Sequence, residues 1–166
     1  MKYSFRPVVD ENSRILILGS LPGERSLAEA RYYAHPHNHF WKILYDFYGE
    51  DPAADFDSRY AFILRHRLAL WDTVKCAFRE GSLDGKIRGE VPNDIPALLR
   101  EFQNIRLIIF NGACSFAKYK KHFGVPELPF RKLLSTSPAC AGRNEERKKL
   151  WAEALSSLEK SSENRQ

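Results

Sequence analysis

The chain has 166 residues, a formal net charge of +5 and a pI near 9.2, with 28% charged and 43% hydrophobic residues. That length and balance predict one domain with a sizeable core over residues 1–160 and a polar, frayed tail over 161–166, and they exclude a disordered or fibrous chain. The three cysteines are far apart and form no CxxC pair, so neither a disulfide framework nor a cysteine zinc site is expected.

In chain order, Arg14 to Leu18 ("RILIL") is an apolar run of strand length, as expected of a strand buried on both faces. Gly19, Pro22 and Gly23 mark a turn after it. Ser26 and Glu29 read as a capping box opening a short helix through Arg31. Asn38 then precedes a helical stripe of Phe40, Trp41, Leu44, Phe47 and Tyr48, closed by Gly49. A further helix is predicted over residues 59–66, and "LALW" (68–71) is a second buried strand, followed by Asp72 and Thr73. "REGSLDGKIRGEVPND" reads as a long polar surface loop, and Asn93 as the cap of a helix in "DIPALLREF". "RLIIF" (106–110) is a third strand. The helical pattern of "ACSFAKYKKHFG" makes Asn111-Gly112 a strand-to-helix turn rather than a hairpin. "KLLSTSPA" supplies a fourth strand ending at Pro138, and Asn144 opens a last helix with Trp151, Ala154, Leu155 and Leu158 on its apolar stripe.

This alternation predicts an α/β fold of three layers, α/β/α, around a central, mainly parallel four-stranded sheet. Ligands of such sheets bind beyond the carboxyl ends of the strands. The residues to inspect are therefore 19–23, 71–73, 111–112 and 135–138. The glycine turn can present backbone N–H groups to an anion or a developing negative charge, or be a plain connection. His35, His37 and His39 alternate, but Pro36 breaks any helix and no carboxylate is near, so no metal is expected. Asn38 suits both a helix cap and an amide in a strand-end pocket, and Tyr32, Tyr33 and Phe40 suit both core packing and a stacking surface. The hydroxyls of Ser135, Thr136 and Ser137 suit phosphate oxygens or an ordinary turn. Arg131, Lys132, Arg143, Arg147 and Lys148 around them form either a solvated face or a phosphate track.

Together these segments resemble the uracil-DNA glycosylase superfamily over nearly the whole chain, from Arg14 to about Leu155. The resemblance rests on "LILGSLPGE", "YYAHPHNHFWKIL", "LALWD", "LIIFNG" and "LLSTSPA" in that order. The combination is most similar to the hypoxanthine-DNA glycosylase branch, with motifs like those of the mismatch-specific uracil enzymes. The resemblance implies a monofunctional DNA glycosylase that needs no cofactor and hydrolyses the N-glycosidic bond of a flipped, deaminated nucleotide, with hypoxanthine favoured. Mismatch-type excision of uracil or an alkylated base, and a non-catalytic lesion-binding module, stand as alternatives. Leu21 occupies the place of the Asp or Asn that orients water in uracil-cleaving members, and Ser135 stands in the region of their second-motif histidine; both departures argue against vigorous uracil excision. The implied site comprises Asn38 with the Gly19, Ser20 and Leu21 backbone as catalytic groups. Tyr33, Phe40, Trp71, Asp72 and Asn111 would contact the base, and Ser135, Thr136, Ser137, Pro138 and Arg143 would contact phosphates or wedge into the stack. A cytoplasmic monomer acting on damaged DNA is the corresponding expectation.

Overall fold

The computed structural model describes the backbone of residues 1–163 and the side chains of residues 1–159. Its elements are β1 Lys2–Tyr3, β2 Ile15–Gly19, α1 Glu24–Glu29, α2 Phe40–Tyr48, α3 Phe56–Arg65, β3 Leu68–Asp72, β4 Val74–Phe78, β5 Arg88–Pro92, α4 Ile95–Glu101, β6 Leu107–Asn111, α5 Ala113–Phe123, β7 Phe130–Leu133 and α6 Asn144–Glu163. A 3-10 turn, Asp84–Lys86, lies between β4 and β5. The tail expected from residue 161 falls partly on α6, and residues 164–166 lie outside the described residues. No described helix is long and apolar enough to cross a membrane.

Four strands form a parallel sheet in the order β3-β2-β6-β7. Period-two alternation divides its side chains between two cores. Ile15, Ile17, Leu68, Leu70, Leu107 and Ile109 meet α2, α3 and α6 on one face. Leu16, Leu18, Ala69, Ile108 and Phe110 meet α4 and α5 on the other. This is the expected three-layer arrangement, and it explains why each central strand reads as an unbroken apolar run.

A second sheet, antiparallel in the order β1-β4-β5, was not anticipated. It occupies part of what reads as surface loop. The alternation of buried Val74 and Cys76 with exposed Lys75 is the signal that marks β4. The chain leaves β3 at Asp72 and enters β4 two residues later, held by Thr73 and Val74 N–H groups donating to the carbonyls of Gly19 and Ser20 at 2.8 and 3.0 Å. The small sheet therefore abuts the carboxyl edge of the large one.

Three local expectations need correction. Ser26 lies inside α1, whose N-cap is Gly23 without a side-chain bond; Ser26 Oγ instead accepts from Ala34 N–H at 3.0 Å and turns the chain back. Asp94, not Asn93, caps α4, because its carboxylate reaches Ala97 N–H at 3.1 Å. The fourth strand stops at Leu133, and residues 135–138 are loop held by side-chain bonds.

Candidate active site

The carboxyl ends of β2, β3 and β6 and the loop after β7 open into one cavity of about 540 Å³. Its lining includes Gly19, Ser20, Leu21, Tyr33, Asn38, Asp72, Asn111, Ser135, Thr136, Ser137 and Pro138. The widely separated residues converge because the parallel strands all point the same way. One backbone bond, from His39 N–H to Thr136 O at 2.9 Å, ties the turn before α2 to the loop after β7.

Asn38 serves two ends at once. The N-cap position of α2 is His39, without a side-chain bond, and Asn38 one residue earlier supplies the capping oxygen: its Oδ1 accepts from Phe40 N–H at 2.9 Å. Its Nδ2 makes no hydrogen bond among the described residues, which leaves a donor on a residue of the cavity wall. Capping and ligand binding are therefore compatible roles for this residue.

Asp72 ends β3 with its side chain buried. Ser4 Oγ donates to Oδ2 at 2.8 Å, and the Asp72 carbonyl accepts from Asn93 Nδ2 at 2.7 Å. Burial pushes the carboxyl up to about 7, against the Ser4 bond that favours ionisation. Tyr33 lines the same cavity, and its hydroxyl is buried without a hydrogen-bond partner among the described residues. Burial, followed by the charge of Asp72, holds that hydroxyl protonated well above the usual tyrosine range.

Two glycines are dictated by close approach. A Cβ on Gly19 would lie 2.5 Å from Asp72 Oδ1 and 3.0 Å from the Tyr33 hydroxyl. Gly112 has φ +103°, and a Cβ there would meet Ser135 Cβ at 3.1 Å.

Other expected residues sit elsewhere or are already engaged. Phe40 is fully buried and stacks behind Tyr33 with centroids 4.0 Å apart, so only Tyr33 of the two lines the cavity. Trp71 projects to the opposite face of the sheet from Asp72, as alternation requires, and its indole donates to Phe5 O at 3.1 Å. Asn111 reaches the cavity with its amide engaged: Nδ2 donates to Thr136 Oγ1 at 2.9 Å and Oδ1 accepts from Thr136 N–H at 3.0 Å. The same pair buries Thr136, whose hydroxyl is thus turned inward rather than toward a phosphate. Ser135 and Ser137 line the cavity, and each hydroxyl accepts a backbone N–H two residues on. Arg143 is exposed outside the cavity lining and pairs with Glu146 at 2.7 Å. Leu21 sends its side chain into a small cluster with Val74, Ala77 and Ile87, anchoring the glycine turn beneath the antiparallel sheet.

Several residues that position the site carry no sequence motif. Arg147, placed in the basic group around the loop, is 1% exposed; its Nε donates to Ser135 O at 2.8 Å and Nη2 to Cys140 O. It holds the loop rather than a phosphate. Arg79, also buried, donates to the carbonyls of Gly81, Leu21 and Pro22. Ser20 Oγ donates to Asp84 Oδ1 at 2.7 Å, which docks the turn after β4 onto the glycine turn. The "FREGSL" segment is the only cue to this docking: an arginine among glycine-rich turns, with carbonyls to satisfy. Among the described residues no group of three or more His, Cys, Asp or Glu side chains is placed to hold a metal ion.

The model of the uracil DNA glycosylase superfamily matches residues 6–159. The chain belongs to that superfamily. Among its relatives is the hypoxanthine DNA glycosylase of Methanosarcina barkeri, 40% identical over 155 residues, covering 93% of this chain and 98% of the relative. A hypoxanthine DNA glycosylase of Methanosarcina acetivorans is 40% identical over 113 residues, covering 68% and 72% of the two chains. A solution NMR structure from Methanosarcina acetivorans, described as a candidate uracil DNA glycosylase, superposes with a TM-score of 0.83 at 34% identity, over 95% of this chain and 98% of its own. The glycine turn and the loop after β7, which carry two of the segments on which the resemblance rests, both line the cavity.

Proposed function

We propose that this superfamily member acts as a monomer on DNA and releases hypoxanthine from a flipped deoxyinosine, by hydrolysis of the N-glycosidic bond. The observation that carries the reading is the convergence of Asn38, Asp72 and the two motif loops on one cavity at the carboxyl edge of the sheet. Its size falls within the usual range for small-molecule sites. The names and extent of identity of the Methanosarcina glycosylases favour hypoxanthine as the base.

Extruding a base costs a few kcal/mol, and less when the base is mispaired or damaged. In the cavity the base lies against the Tyr33 ring, which Phe40 backs. As the C1′–N9 bond breaks, positive charge grows on the sugar and negative charge on the departing base. The free Asn38 amide and the backbone N–H groups of Ser20 and Leu21 stabilise that negative charge or place the attacking water. The phosphates on either side of the flipped nucleotide dock on Ser135 and Ser137, with Arg143 adding charge at the margin. Water is the nucleophile, and the product is free base plus an abasic site with the strand intact.

The segment after Pro138 is built of small residues, whereas Leu83, 54% exposed, lines the same cavity. An apolar side chain at that place fits the wedge that fills the gap left by an extruded base. Base release from duplexes containing hypoxanthine, uracil, xanthine or an alkylated base, read by alkaline cleavage of the abasic product, tests the proposal. Hypoxanthine is expected to be released fastest, and release of none of these bases refutes it. Leu83→Ala is expected to slow release about tenfold or more from a duplex and little from a single strand, since only the duplex must be held open.

A further inference from the structure

The floor of the cavity carries a polar pair whose arrangement goes beyond holding a base. Asp72 Oδ1 and the Tyr33 hydroxyl both approach the point where a Cβ of Gly19 would sit, at 2.5 and 3.0 Å. Glycine there lets both oxygens pack against its α-carbon, and all three residues line the cavity. Tyr33 is held in the left-handed region at φ +54°, its ring is fixed against Phe40, and its buried hydroxyl makes no hydrogen bond among the described residues, although the Asn111 amide is close enough to favour its ionised form. A buried, unpartnered hydroxyl in a strained residue is a group kept for a ligand.

Asp72 is oriented in the same sense. Ser4, the residue after β1, donates to Oδ2. The other groups facing the carboxyl are Tyr32 and Tyr33 from the segment after α1, and Asp84 and Arg79 from the turn after β4. The only cation among them, Arg79, is committed to three backbone carbonyls. No ion pair with Asp72 occurs among the described residues, and burial raises its carboxyl to about 7. While Ser4 Oγ donates to Oδ2, a proton on the acid sits on Oδ1, the oxygen that packs against Gly19 at the cavity. The floor then presents two O–H donors.

Deamination replaces the exocyclic amino group of adenine, a donor, by a carbonyl, an acceptor. We propose that the neutral carboxyl of Asp72 and the hydroxyl of Tyr33 form a keto-reading pair that donates to the exocyclic carbonyl of a deaminated base and turns away the amino-bearing parent. An amino group placed there meets donors only, and a site whose buried polar groups stay unpaired rejects its ligand strongly. Ionised Asp72 would accept from the amino group and repel the carbonyl, so selection depends on the proton. This inference rests on the base occupying the cavity as proposed above.

The test is base release at limiting enzyme from hypoxanthine duplexes, with matched adenine duplexes alongside, between about pH 6 and about pH 8.5. Wild-type release is expected to fall nearly tenfold per unit above about pH 7. Asp72→Asn keeps a donor that does not titrate. It is expected to be about fivefold slower at the acid end and flat with pH, so that its curve crosses the wild-type curve. Tyr33→Phe retains the ring and removes the hydroxyl; release is expected to fall about tenfold or more with the melting temperature unchanged or raised. Wild-type pH dependence retained in Asp72→Asn, or wild-type release by Tyr33→Phe, overturns the inference alone. Should Asp72→Asn not fold, the Tyr33→Phe result decides. Absence of base release by the wild type from every lesion duplex overturns the proposed function and this inference with it.

Discussion

Asn38 offers the sharpest separation of structure from chemistry, because one atom of its amide caps a helix and the other is free. The Oδ1 bond to Phe40 N–H, 2.9 Å long, is a helix-start contact worth about 1 kcal/mol. In a chain of 166 residues that corresponds to roughly 2–4 °C in melting temperature. The Nδ2 donor, if it acts on charge that develops as the bond breaks, is worth about 100- to 1000-fold in rate. Asn38→Asp keeps the capping oxygen and deletes the donor. Asn38→Ala deletes both. The expected outcome is two variants equally slow in single-turnover base release, by about 100-fold or more, of which only the alanine variant melts lower by about 2–4 °C. Thermal unfolding by circular dichroism and base release on the same preparations make the comparison. Wild-type release by Asn38→Asp would refute the catalytic role and leave capping as the function of the residue.

Further outcomes follow from the surrounding contacts. The folded protein holds a proton on Asp72 between about pH 4 and the raised value of about 7, where the unfolded chain has lost it, so stability falls as pH rises through that window. Asp72→Asn lacks the effect; its melting temperature relative to wild type should climb across that range, by up to about 4 kcal/mol in stability, and then level off, whereas a constant gap would contradict the burial argument. Gly19→Ala puts a methyl 2.5 Å from Asp72 Oδ1 and is expected to cost about 1–3 kcal/mol and to slow release by about 100-fold, measured by melting and turnover. Arg147→Met should melt lower and bind DNA more weakly with an unchanged salt slope, because Arg147 holds Ser135 and Cys140 carbonyls. Arg143→Ala should reduce the slope of log affinity against log salt by about 1 while leaving melting nearly unchanged.

The sequence by itself determined the large sheet and the rim where the site lies. The apolar residues of "RILIL", "LALW" and "RLIIF" lie on both faces of the sheet, and runs so short between turn residues suit a doubly covered strand better than a helix. Their carboxyl ends are marked by Gly19, Asp72 and Asn111, and periodicity placed Asn38 at the approach to α2, two residues before its first. Periodicity is a local property, so it survives in one dimension. What tertiary structure alone decided is which polar groups remain open. Asn111 and Thr136 satisfy one another across 25 positions, Phe40 withdraws behind Tyr33, and Trp71 turns to the far face. Ser4, Arg79 and Arg147 acquire their roles from carboxylate and carbonyl oxygens that lie remote along the chain. Hydrogen-bond demand inside a fold is met by whatever donor the topology brings near, and that pairing leaves no periodic trace in the sequence.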